Sequence, residues 1–328
     1  MDSLIYAINA IAPIIATVAI GYILKKIKLM DGGFAKAANK LVFHLFLPCM
    51  LFSNVYKINA LGDIKLGYVA YTVILILSIF VLALFAVMLV TKKGERRGAL
   101  WQGCFRSNYA LIGIPLAQSL FGAEGAMIAT ILSAFVVPLY NILAAISLSV
   151  FRRDGGKISP KRIIAGIFHN PLIQSTLLGI AALCLRALFV KFGIGFRLSD
   201  ITPVMTVLEY MSRLATPLAL LCLGAQFEFS AVSELKKEII FGTVMRTVIS
   251  PVFGIGIAYM FFRESFSGAH FAAFIAVFAT PIAVSSVPMT QEMDGDVILA
   301  GQLVVWTTLV SAFSVFLVSF LLKAAGIF

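Results

Sequence analysis

Asn108 is followed at close spacing by Gly113, Pro115, Gln118 and Ser119, all within the apolar run "NYALIGIPLAQSLFG" (108–122). A second run, "TPIAVSS" (280–286), offers Thr280, Pro281, Ser285 and Ser286. These are amides and hydroxyls set beside prolines, a chemistry of binding rather than of bond-making. A proline removes a backbone donor and crowds the preceding helical turn. Pro115 is therefore expected to leave the carbonyl of Leu111 without its helical partner, and Pro281 to do the same to Val277. Inside a bilayer such a carbonyl persists only when buried in protein or lining a wet cavity. The half-helix beyond each break starts with free N–H groups at the positive end of a dipole, together an anion site. Asn108, about two turns before Pro115, is placed to donate its amide to a carboxylate. Ser and Thr in spans often bond their own backbone, which makes Ser119 a weaker candidate than Ser285 and Ser286.

Charges in apolar segments are functional candidates by default. Arg246 either pairs with an anionic substrate or bonds the carbonyls of a broken helix; otherwise it snorkels to the interface. Glu209 and Arg213, spaced i, i+4, are expected to neutralise each other. Arg106 reads as an interface anchor and His44 as a satisfied packing residue. Neither break holds a carboxylate, since Glu292 lies well beyond Pro281, and sodium coupling is disfavoured accordingly. There is no HExxH, no paired Asp in a span and no Ser/His/Asp constellation, so an enzyme is not expected. Cys49, Cys104, Cys184 and Cys222 lie in apolar stretches without a CxxC pair. They read as free buried thiols, with no metal, disulfide or other cofactor.

The elements that must position these residues are membrane spans. Of 328 residues, 61% are hydrophobic and only 12% charged, which identifies a polytopic all-α membrane protein. About ten spans of the ~20 residues a bilayer requires can be drawn. They run near 4–26, 36–56, 67–91, 99–121, 125–150, 162–190, 201–225, 238–262, 269–290 and 297–324. The first apolar run is long enough to span and follows Asp2 directly, so no signal peptide is expected. The net charge of +11 comes from short clusters between these runs. They read as topology signals rather than a nucleic-acid surface. The larger share, including Lys25, Lys26, Lys28, Lys92, Lys93, Arg96, Arg97, Arg152, Arg153, Lys236 and Lys237, falls on one side. That side is expected to be cytoplasmic, with both termini extracytoplasmic, in a cell (inner) membrane.

The chain also repeats itself. "PIIATVAIG" (13–21) matches "PLIQSTLLG" (171–179), "LFLP" ending at Pro48 matches "LATP" ending at Pro217, and "PLAQS" (115–119) matches "PIAVS" (281–285). The matches are collinear at a near-constant offset, the mark of a duplication. A five-span unit crosses an odd number of times, so the second copy inserts upside down, as in many secondary transporters. The expected units are a first five-helix repeat over 1–151, a cytoplasmic linker over 152–162 and a second, inverted repeat over 163–328. Broken crossover helices 4 and 9 would meet near the bilayer centre.

With these residues in view, the chain resembles the auxin efflux carrier family in its bacterial form. The segment 108–122 is similar to the N-x-x-x-M-G-I-P-L-L stretch of plant auxin carriers. Further likenesses are "LVFHLFLPCMLFSN" (41–54), "HNPLIQSTLLG" (169–179), "ATPLALLCLGAQF" (215–227) and "TPIAVSSVPMTQEMDGDVILA" (280–300). The resemblance implies two inverted five-helix repeats with crossed broken helices, as in the bile-acid sodium symporters. It implies a scaffold of spans 1, 2, 6 and 7, often dimeric, and a transport domain of spans 3–5 and 8–10 that shifts like an elevator. It carries a carboxylate-binding role over to Asn108, and it makes a small organic anion, a mono- or dicarboxylate, the expected cargo. The plant pattern has no counterpart of "VSS", and the long plant loop is replaced by a short linker. A non-transporting membrane sensor and a sodium-coupled organic-anion symporter stay open as alternatives.

Overall fold

A computed structural model describes residues 2–57, 66–151 and 165–328. The linker expected over 152–162 lies outside the described residues. The described chain is helical, and among the described residues the sole extended pairing is an isolated antiparallel bridge between Ser107 and Ile282.

The helices are α1 (Asp2–Lys26), α2 (Gly32–Tyr56), α3 (Leu66–Val90), α4 (Gly94–Phe105) and α5 (Tyr109–Val150). Then follow α6 (Pro171–Lys191), α7 (Thr202–Gln226), α8 (Lys236–Phe262), α9 (Gly268–Phe278), α10 (Ser286–Glu292) and α11 (Val297–Ala324). Their bounds fall close to the spans drawn from hydropathy. Among the described residues, seven helices (α2, α3, α5, α6, α7, α8 and α11) are long and apolar enough to cross a membrane.

Local chemistry sets the ends. Asp31, Asn170 and Asp296 cap α2, α6 and α11 by accepting from the N–H groups of Phe34, Leu172 and Leu299. Pro171 takes the first turn of α6, where its missing N–H is no loss. Within α5, Gly122 has φ +60° and ψ −149°, a conformation only glycine adopts without strain. The bend there marks the junction between the fourth and fifth spans of the sequence.

Two contacts organise the flanking helices. Gly21 of α1 and Gly224 of α7 lie so close that a Cβ on either would strike the other helix's backbone, at Leu221 O and Val18 O respectively. Small residues allow such approaches between membrane helices. Gly179 of α6 meets Val55 and Phe52 O of α2 in the same way, a Cβ falling 3.0 and 3.2 Å from them. Gly21 and Gly179 are the terminal glycines of the two matching sequence segments. Helix α1 thus packs on α7 while α6 packs on α2.

Helices α9 and α10 run through the interior. Phe271, Ala272, Ala273, Phe274, Ile275, Ala276 and Val277 are fully buried, enclosed chiefly by α5, α8 and α11. At one end of the bundle, neutral amides join three helices. Asn39 of α2 donates to Gln226 of α7 at 3.0 Å and to Gln291 of α10 at 3.2 Å, and Gln291 donates to Lys36 O at 3.0 Å. Nearby, Arg96 of α4 gathers Glu234, Glu238 and Asp296, the last two at 3.5 and 3.3 Å. The Arg96 guanidinium holds the Glu234 carboxyl below its ordinary range.

Candidate functional site

The site forms where two helices stop and restart beside each other. Helix α4 ends at Phe105, and Arg106 continues in extended backbone with φ −79° and ψ 114°. Ser107 pairs with Ile282, and the Asn108 N–H donates to Pro281 O at 2.7 Å. Helix α5 then starts with a π turn over Tyr109–Gly113, in which Asn108 O accepts from Ile112 and Gly113. On the other strand of the crossing, α9 ends at Phe278 and α10 begins at Ser286, with Pro281 between them.

The structure therefore moves one of the two breaks. Pro281 lies inside the second interruption, as expected. Pro115 does not interrupt a helix; it sits in the α-helical part of α5, with the non-helical residues about two turns earlier. A proline in the opening turns of a helix displaces few hydrogen bonds, so it marks a restart rather than a stop.

A cavity of about 650 Å³ opens beside the crossing, a size suited to a small ligand. Asn108, Pro115 and Ser285 line it, together with Arg106, Tyr140 and Asn141. Asn108 is 8% exposed, and its carboxamide takes no part in capping α5. The first turn of α5, Tyr109 to Leu111, also faces the cavity, at the positive end of a helix dipole.

Arg106 is the residue the sequence reading misplaced. It is 3% exposed and far from an interface anchor. Its guanidinium donates to Asn141 Oδ1 at 2.7 Å, Ser285 Oγ at 3.0 Å and Gln102 Oε1 at 3.3 Å, and lies 3.1 Å from Met289 Sδ. All four partners are neutral, and among the described residues no carboxylate reaches it. A guanidinium does not deprotonate in a protein, so a permanent positive charge stands on the cavity wall without a counter-ion.

Arg246 is deeper still, with no exposed surface, and does not line the cavity. Its Nε donates to Thr280 O at 2.8 Å, Nη1 to Phe105 O at 3.1 Å and Ser250 Oγ at 3.3 Å, and Nη2 to Val277 O at 2.6 Å. The Val277 carbonyl expected to lose its partner has found one. A single side chain satisfies carbonyls on both sides of the crossing, the second of the alternatives the sequence left open.

The remaining candidates separate by position. The Thr280 hydroxyl turns back to Ala276 O at 2.7 Å, while Pro281 contributes its carbonyl to Asn108. Ser286 is buried off the cavity, and its Oγ has no hydrogen-bond partner among the described residues. Gly113 is a packing position, where a Cβ would come within 2.9 Å of Ala276 O. Gln118 and Ser119 are exposed and away from the cavity. Glu209 and Arg213 form the expected pair at 2.7 Å. His44 is half exposed: its Nδ1 lies 3.0 Å from Lys40 O and 3.8 Å from Glu292, and its ring meets Phe43 edge-on. The four cysteines are free, but Cys184 is exposed and Cys49 only partly buried. Among the described residues no cluster could hold a metal ion.

Residues 6–319 match the family described as Membrane transport protein. The chain belongs to that family of membrane transporters, the auxin efflux carriers. It is similar to an uncharacterized transporter of Methanothermobacter thermautotrophicus, with 23% identity over 309 residues covering 93% of this chain and 95% of that one. It is also similar to an uncharacterized transporter of Methanocaldococcus jannaschii, with 24% identity over 244 residues covering 73% and 74%. This auxin efflux carrier relative is thus a multi-pass membrane protein of a transporter family, and the family is not one of enzymes.

Proposed function

We propose that this transporter is a secondary carrier of small organic anions, mono- or dicarboxylates, and that it binds them at the crossing. The observation that carries this reading is Arg106. A buried charge without a counter-ion is unfavourable in the membrane interior, and a carboxylate entering the cavity would supply one. Asn108 donates its amide to the same group, Ser285 is within reach through Arg106, and the α5 N-terminus adds its dipole.

Helices α1, α2, α6 and α7 are read as the scaffold, and α3–α5 with α8–α11 as the mobile domain of an elevator. Both termini are placed outside the cell and the carrier in the inner membrane as a homodimer. The reciprocal packing of α1 on α7 and α6 on α2 supports two inverted repeats. Arg246 is assigned to holding the crossing together rather than to the substrate. It occupies carbonyls that a coupling cation would otherwise use, which favours the ion-independent reading over sodium symport. An inside-negative potential drives an anion outward by ~2.3 kcal/mol per charge per 100 mV, so export needs no coupled ion.

Purified protein in liposomes should move labelled malonate or benzoate, with Asn108→Ala and Arg106→Gln impaired. Proteoliposomes that move neither acid in either direction would overturn the reading.

A further inference from the structure

The cavity carries a second guanidinium. Arg213 of α7 lines it beside Ser212 and Thr216. Unlike Arg106, its side chain is 74% exposed, and it donates to Glu209 Oε1 at 2.7 Å. Glu209 does not line the cavity and is itself 47% exposed. The two arginines thus line one space, a buried one on the wall of the crossing and an exposed one on α7.

An i, i+4 pair this exposed adds little to stability, which makes it a poor reason to carry two charges in a membrane span. Such charges face protein or water rather than lipid, and Arg213 meets that condition by facing the cavity. We propose that Arg213 captures the incoming anion at the cavity mouth and that Glu209 is its built-in competitor. This rests on the organic-anion reading above. The arriving carboxylate replaces the Glu209 oxygen on the guanidinium, so one exposed ion pair is exchanged for another and no charge is left bare. The anion then passes inward to Arg106 and Asn108. Because α7 packs chiefly on α1 and α2, while Arg106 and Asn108 lie between α4 and α5, capture and binding are made by different parts of the protein. A guanidinium at the mouth also concentrates anions and raises their rate of entry, an effect that salt screens.

The test compares Glu209→Gln, Arg213→Gln and the double substitution in proteoliposomes, with labelled malonate and benzoate as probes. Removing the competitor should lower KM about threefold, and removing the capturing charge should raise it about threefold, the size an exposed pair supports. The double variant should follow Arg213→Gln, and higher salt should shrink the differences. A purely structural staple moves both single variants the same way and makes the double equal to either. If both singles shift KM in one direction, or neither shifts it, the capture role is overturned while the carrier reading stands. If the unsubstituted protein moves neither acid, the carrier reading falls, and the capture role with it.

Discussion

The two interruptions that meet at the crossing are built differently. Around Pro281 the backbone is held by protein: Val277 and Thr280 are fully buried, their carbonyls are held by Arg246, and this break reaches the cavity only through Ala283, Val284 and Ser285. Around Asn108 one side is open, and Arg106, Asn108 and the start of α5 face the cavity. Each interruption has one arginine close by, and the pair divides the work. Arg246 donates to three backbone carbonyls and the Ser250 hydroxyl and does not line the cavity, whereas Arg106 rests on neutral side chains that a stronger acceptor can displace. One break is held mainly as a joint and the other offers most of the receptive surface, although the sequence presents them as copies.

That difference can be broken most decisively at Arg246. Arg246→Gln leaves the carbonyls of Phe105, Val277 and Thr280 short of donors, at a cost of about 3–5 kcal/mol. The melting temperature in detergent should fall sharply and transport should disappear with it. Arg106→Gln should do the opposite to stability. Removing a buried charge that lacks a counter-ion leaves the fold intact or firmer, while malonate transport drops about 100-fold in kcat/KM, the loss of a charge-assisted contact. If Arg106→Gln melts as Arg246→Gln does, the division of roles is wrong. Asn108→Ala should weaken anion binding about tenfold, as expected for one hydrogen bond, measurable as a smaller ligand-induced thermal shift. Gln118→Ala, exposed and off the cavity, should stay within about twofold of the parent in the same assay.

Much of this was legible in the sequence. Hydropathy placed the seven long apolar helices among the described residues, because apolar runs of bilayer length have few alternatives. The paired motifs led to the crossing, and Asn108 and Ser285 do line the cavity. What failed was depth. The span drawn from residue 99 puts Arg106 only seven residues inside, near an interface, whereas helix α4 starts five residues earlier, at Gly94. Helix α4 stops after 12 residues, about 18 Å of rise, and Arg106 is the first residue beyond it. Pro115 misled for a related reason: a proline signals an incompatible backbone, but it is equally at home where a helix restarts. Arg246 could not be resolved from sequence at all. Its partners are carbonyls on two other segments, and carbonyls carry no signature in residue type.

The bridge between Ser107 and Ile282 has a consequence for how the molecule opens. In most proteins irregular backbone exchanges its amide hydrogens first, ahead of the helices around it. Here the irregular residues are tied to each other, with Asn108 N–H on Pro281 O, Ile282 N–H on the Thr307 hydroxyl and Arg246 across both. Freeing any one of these amides requires parting two pairs of half-helices at once. The crossing is therefore a single cooperative unit, and its non-helical amides should be among the slowest in the chain to exchange.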